Sequence, residues 1–155
     1  MTPRDEESSA VGIDQRRAII HAQPCFAALS LEENTQLAEL LREVTFSPGQ
    51  LIVRETDPID CVYFIVNGEA DVRHVFYKDG VAQIQSVATL KAGGTIGLND
   101  AGFYSLTGRR MATVVANTEM LLLRLSLAVF HGFSLVNRHV SKVMREHAAA
   151  MLRLR

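Results

Sequence analysis

Two stretches of this 155-residue chain carry residue types able to do chemistry: Gly93-Gly94-Thr95-Ile96-Gly97-Leu98 and Arg110-Met111-Ala112-Thr113-Val114-Val115-Ala116. A glycine-rich turn joined to the N-terminus of a short helix aims main-chain N–H groups at an anion, and one buried arginine adds charge-assisted, bidentate hydrogen bonds. The chemistry on offer is anion recognition. Taken alone, an arginine at the end of a loop is most simply a solvated surface charge, and loops between strands use glycine routinely. Arg110 gains weight from its setting, because small residues that admit close backbone approach follow it and a Gly-Gly-x-x-Gly turn precedes it.

Catalytic and metal chemistry find less support. The chain has no nucleophile elbow, paired catalytic carboxylates, Walker loop or zinc signature, and Gly-Gly-x-x-Gly lies between strands rather than at the strand-to-helix junction of a dinucleotide fold. The reading is a protein that is not an enzyme. His21, His74, His131, His139 and His147 never form the i, i+4 pair of a helical metal site, and no C-x-x-C accompanies them, so neither metal nor cofactor is expected. Cys25 and Cys61 read as isolated buried thiols rather than a disulfide.

Composition narrows the partners. With 48% apolar and 21% charged residues the chain can bury a substantial core as one domain. Sixteen basic residues stand against seventeen acidic ones, a net charge of -1, so the basic excess needed for nonspecific nucleic-acid binding is missing. No apolar run nears the roughly 20 residues of a membrane span, and Met1-Thr2-Pro3-Arg4-Asp5-Glu6-Glu7 is no signal peptide. The expectation is a soluble, cytoplasmic protein, or a soluble piece of something larger.

The elements that must position these stretches follow from periodicity. Residues 1–10 read as a flexible polar tail and 11–155 as a single domain. Ile13–Ala22 suits a short surface helix. Ser30-Leu31-Glu32-Glu33 has the spacing of a capping box, and Leu37, Leu40, Leu41 and Val44 follow at helical intervals, which predicts a helix over Leu31–Val44. From Phe46 the period shortens. Runs of Val, Ile, Phe and Tyr are parted by turn residues at Ser47-Pro48-Gly49, Asp57-Pro58, Asn67-Gly68, Asp79-Gly80 and Gly93-Gly94. About seven strands through Leu125 are expected to close into an antiparallel β-roll of jelly-roll type. The clearest hairpin joins Glu69–Tyr77 to Val81–Thr89 across Asp79-Gly80. Ser126 is an N-cap for Leu127–Phe133, ended by Gly132, and a last helix runs to the C-terminus. Val136, Val140, Val143, His147, Met151 and Leu154 mark its apolar face. The fold class is mainly β with N-terminal helices and a C-terminal lid helix.

Phe46-Ser-Pro-Gly49-Gln-Leu-Ile52 and Glu55-Thr-Asp57-Pro-Ile-Asp60-Cys-Val-Tyr63-Phe64-Ile65-Val-Asn67-Gly68, with the two stretches named first, resemble the cyclic-nucleotide-binding domain family. That module is shared by catabolite-activator-type regulators, protein kinase A regulatory subunits and cyclic-nucleotide-gated channels. The likeness spans roughly Pro24 to the C-terminus. It implies that Gly93–Leu98 and Arg110–Ala116 form a phosphate-binding cassette. Arg110 would neutralise the cyclic phosphate, Met111 and Ala112 would offer main-chain N–H groups, Thr113 a hydroxyl, and Gly97 room for the sugar.

The chain departs from the family pattern where a glutamate usually follows the glycine matched by Gly97; here Leu98 stands, and a hydrogen bond to the ribose is lost. Such a bond is worth roughly 1.5–3 kcal/mol, about ten- to a hundredfold in affinity. Asn99 or Asp100 could reach the sugar if the lengthened loop shifts the register; the plainer reading is that both cap or turn the loop. Arg109 replaces the usual proline and adds a second positive charge, and Gly108 keeps the loop mobile. Tyr63, Phe64, Phe76 and Tyr77 read as packing. Met144, His147 and Met151 form a stripe on the last helix whose simplest role is packing; its functional alternative is a lid over the purine or a dimer seam.

Two functions compete. The first is a ligand-sensing regulatory module for a 3′,5′-cyclic nucleotide, cAMP ahead of cGMP. With no helix-turn-helix reader after the last helix, it would act through a protein partner, through a homodimer along Val136–Leu154, or as part of a longer regulator. The second is a degenerate domain that keeps the roll as a protein-interaction scaffold and binds no nucleotide.

Overall fold

The computed structural model describes residues 10–98 and 108–153. In chain order these form α1 (Ile13–His21), a 3-10 turn (Pro24–Phe26), α2 (Leu31–Leu40), β1 (Arg42–Phe46), β2 (Leu51–Val53), β3 (Cys61–Asn67), β4 (Ala70–Lys78), β5 (Val81–Leu90), β6 (Thr95–Ile96), β7 (Thr113–Ala116), β8 (Met120–Ser126), α3 (Leu127–Val136) and α4 (Arg138–Arg153). The strands make two four-stranded sheets, ordered β1-β8-β3-β6 and β2-β7-β4-β5. This is the β-roll with flanking helices that turn chemistry and periodicity predict, with eight strands among the described residues where about seven are expected. The described residues fall into two compact units. One is drawn from 10–43, Leu98 and 125–153, the other from 44–97 and 108–124.

In the first unit the capping box forms as expected: Glu33 N–H donates to Ser30 Oγ at 3.1 Å and Ser30 N–H to Glu33 Oε1 at 2.8 Å. Ile20, Phe26, Leu37, Phe130 and Val140 are buried, and the rings of Phe26 and Phe130 lie 5.9 Å apart. Two helix boundaries differ from the periodic reading. α2 ends at Leu40 because Leu41 adopts extended backbone, φ -73 and ψ 138. Val44 therefore belongs to β1, where a β-branched pair, Val44-Thr45, favours the pleat. α3 runs through Gly132 to Val136 and stops at Asn137, whose side-chain amide donates to Phe133 O at 2.8 Å. A helical glycine costs only about 1 kcal/mol relative to alanine, less than burial of Phe130 returns. Val136 consequently closes α3 with 81% exposure instead of opening the apolar face of α4.

The second unit has its core between the sheets, in Ile52, Val53, Tyr63, Ile65, Ala70, Ile96, Val114 and Leu122 among others. β4 and β5 meet at a two-residue turn in which Asp79 and Gly80 have φ 54 and 77, the paired positive angles that match a right-twisted hairpin. Cys25 and Cys61 are buried thiols outside any disulfide.

Candidate functional site

The main chain around Arg110 is laced to the loop between β2 and β3. Ile59 N–H donates to Gly108 O at 2.9 Å, Arg110 N–H to Asp57 O at 2.8 Å, and Thr56 N–H to Arg110 O at 2.9 Å. Arg109 Nη1 donates to Thr56 O at 2.9 Å. Gly108 and Arg109, read from sequence as keeping the loop mobile and as a second positive charge, are thus tied to the loop backbone. The tight loop requires φ 74 at Thr56, an unfavourable angle for a β-branched residue.

This frame turns the Arg110 side chain inward. The residue is 6% exposed, and Nη2 donates to Cys61 O at 2.8 Å with Cys61 Sγ at 3.5 Å. Its nearest carboxylate, Asp60 Oδ1, is 3.6 Å away on a side chain that is 75% exposed. A solvated carboxylate at that range offsets little of the cost of burying a guanidinium. Arg110 Nη1 is buried with no hydrogen-bond partner among the described residues. It faces Gly97, where φ is +89 and an added β-carbon would stand 2.6 Å from Nη1. Glycine at 97 therefore keeps open the space in front of an unpartnered, positively charged donor. The Met111 and Ala112 N–H groups likewise have no acceptor among the described residues. Three donors left without acceptors, one of them charged, can hold a compact anion.

On its other side Arg110 borders a recess of about 340 Å³ lined with Asp57, Asp60, Cys61, Tyr63 and Arg124 among others. Arg124 Nη2 lies 4.0 Å from Asp60 Oδ2. Burial and the adjoining Cys61 push the Tyr63 phenol up from its usual range, against the pull of Arg124. Of the predicted cassette only Arg110 lines this recess.

The structure therefore brings Gly97 and Arg110 together, as the sequence reading expects, with Met111 exposed and Ala112 half-buried beside them. Thr113 Oγ1 accepts from Glu55 N–H at 2.9 Å, so its hydroxyl joins β7 to the β2 end while its own proton remains available to a ligand. Leu98 is half-buried and belongs to the helical unit. Asn99 and Asp100 lie outside the described residues. Met144, His147 and Met151 are half-buried on α4, also in the helical unit. His147 lines a second recess with Pro24, Cys25, Ala28, Val143 and Glu146. Sequence reasoning missed Asp60, the Cys61 carbonyl and Thr56 as supports of Arg110. All three lie inside the motif already quoted, but Cys61 and Thr56 act through main chain and have no side-chain signature.

The family model described as the cyclic nucleotide-binding domain matches residues 43–135. The cAMP-dependent protein kinase regulatory subunit of Pyricularia oryzae is 30% identical over 111 residues, 69% of this chain and 25% of that protein. The chain thus spans about a quarter of the curated relative's length. Among solved structures, the N-terminal domain of a transcriptional regulator from Streptomyces coelicolor superposes with a TM-score of 0.73 at 27% identity, covering 87% of this chain and 90% of that one. The regulatory domain of Toxoplasma gondii PKA with cAMP shares the fold, with a TM-score of 0.66 at 20% identity over 78% of this chain and 44% of that one. With the roll, the buried arginine and the facing glycine in place, this chain belongs to the cyclic nucleotide-binding domain family.

Proposed function

We propose that this chain is a regulatory, non-catalytic module that binds a 3′,5′-cyclic nucleotide, cAMP ahead of cGMP, with Arg110 on the phosphate. The observation that carries this reading is the buried guanidinium whose Nη1 has no partner and faces the open side of Gly97. A cyclic phosphate supplies the missing acceptor and the missing charge together. Met111 and Ala112 N–H groups and the Thr113 hydroxyl complete the phosphate cradle, and Gly97 leaves room for the sugar. The preference for cAMP is supported by the regulatory-subunit relatives. Output passes to a protein partner or a second copy through α4, or to a further segment of a longer regulator. A net charge of -1 speaks against nucleic acid. Among the described residues no helix is long and apolar enough to cross a membrane. Two thiols outside any disulfide suit the reducing cytoplasm, the compartment we assign.

A scaffold that binds no nucleotide is the second reading, favoured by Leu98 at the usual glutamate position. Calorimetry of the full chain with cAMP and cGMP separates the two. Binding of wild type that is lost in Arg110→Ala, and strengthened about ten- to a hundredfold in Leu98→Glu, is the expected result. No heat with nucleotide at millimolar concentration, or binding indifferent to Arg110→Ala, leaves the scaffold.

A further inference from the structure

β5 is the outermost strand of its sheet, and residues 81–89 along it are exposed. Outer strands ordinarily carry charge, proline or a bulge that discourages further pairing. β5 reads Val-Ala-Gln-Ile-Gln-Ser-Val-Ala-Thr-Leu, with neither charge nor proline, and leaves Val81, Ile84 and Val87 58%, 68% and 46% exposed. Its one irregularity is at Val87, which the pairing with β4 skips between Arg73↔Ser86 and Val72↔Ala88.

A single contact shows which way the backbone of β5 points. Val75 N–H donates to Glu55 Oε1 at 3.3 Å, away from β5, so Val75↔Ile84 is a non-hydrogen-bonded rung. Rungs alternate. Ala82, Ile84 and Ser86 therefore present N–H and C=O to the open edge, whereas Gln85 bonds inward to His74.

We propose that this edge pairs with itself: β5 of a second copy joins antiparallel and makes one sheet continuous through both molecules. A two-fold axis normal to the sheet keeps each face continuous, so residues that oppose one another must share a face. With Val87 skipped as it is against β4, the pairing that satisfies this along the whole strand centres on Gln85. Val81 then opposes Leu90, Ala82 opposes Thr89, Gln83 opposes Ala88, Ile84 opposes Ser86 and Gln85 opposes itself. Apolar side chains meet at both ends, amides meet at the axis, and no like charges are brought together. The turn residue Gly80, beside Asp79, falls opposite Lys91 of the second copy.

The contact is about 34 Å long and about 10 Å deep, roughly 340 Å² per copy, below the roughly 800 Å² per partner of stable complexes. It belongs with weak, concentration-dependent dimers. Sedimentation equilibrium of the full chain without nucleotide, from about 10 μM to about 1 mM, is expected to show monomer passing to dimer. Ile84→Lys charges an exposed site, leaves the melting temperature unchanged and raises the dissociation constant at least about tenfold. Gln85→Cys lies on the axis in a non-hydrogen-bonded rung, where α-carbons about 4.5 Å apart permit a disulfide. Mild oxidation is expected to link that variant and leave wild type, with both cysteines buried, unlinked. A wild type that stays monomeric throughout, a dimer indifferent to Ile84→Lys, or a Gln85→Cys chain that cross-links no faster than wild type overturns the proposal. So does an edge that takes up an unrelated extended peptide while the chain itself stays monomeric. None of these readouts depends on the nucleotide reading of Arg110.

Discussion

Arg110 Nη1 and Gly97 approach so closely that a β-carbon at residue 97 would lie 2.6 Å from the guanidinium nitrogen. The contact makes glycine a condition of the site, twice over: φ +89 resists any L side chain, and a β-carbon there would press on the partnerless guanidinium nitrogen. Gly97→Ala is expected to strain the turn, push the guanidinium aside and weaken cAMP binding at least about tenfold. Calorimetry on the folded variant checks it; unchanged affinity would mean that the space in front of Nη1 is not where the ligand sits.

Arg110 is also a buried charge that the ligand-free fold compensates poorly. Losing Nη1 removes an unmet donor, worth about 1–3 kcal/mol, and losing Nη2 leaves the Cys61 carbonyl unpaired at a similar cost. Asp60 is exposed enough to stay hydrated alone. Arg110→Met is therefore expected to melt, without nucleotide, within about 1 kcal/mol of wild type while losing all stabilisation by cAMP. Destabilisation beyond about 3 kcal/mol would identify the guanidinium as a structural group.

Thr56 holds φ 74 so that its N–H can reach the Arg110 carbonyl. The left-handed angle costs a β-branched residue about 1–2 kcal/mol, of which glycine's added unfolded-state freedom takes back about 0.5–1. Thr56→Gly is expected to stabilise by about 0.5–1 kcal/mol, a rise of roughly 1–4 °C in a thermal melt. A lower melting temperature would show that the threonine side chain contributes more than its backbone angle costs.

His139 Nδ1 lies 2.8 and 2.9 Å from the two carboxylate oxygens of Glu33, joining α4 to the capping box of α2. Burial alone would raise the Glu33 carboxyl, but hydrogen bonds from the Ser30 main chain and from His139 outweigh it and hold it below its usual value. A depressed folded-state value means that ionised Glu33 stabilises the fold above about pH 4.3, and that this contribution disappears as pH falls through the depressed value. Thermal melts from about pH 6 to about pH 3 are expected to show wild type losing more stability than Glu33→Gln, by about 0.5–1 kcal/mol. Parallel losses in the two proteins would contradict it.

Much of this architecture can be read from residues close together in the chain. The Ser30 capping box, the Ser126 cap and the Asp79-Gly80 hairpin each depend on a few neighbouring residues, and all three stand where turn and capping chemistry put them. Gly97 and Arg110 are likewise legible as a pair through the motif that contains them. Leu41 to Val44 and Gly132 are not, because helical spacing continues through both while strand pairing ends one helix early and packing of Phe130 carries the other past its glycine.

Residue type, period and turn chemistry thus specify conformations a few residues long, and with them the roll and its helices, while the motif around Gly97 singles out Arg110. Which guanidinium nitrogen stays unbonded, which carbonyl holds the other, and which strand is left with an open edge depend on partners distant in sequence: Cys61 against Arg110, and β4 against β5 and β7. Those pairings are chosen by burial and loop closure acting on the chain as a whole, so they leave no trace in any short window of residues.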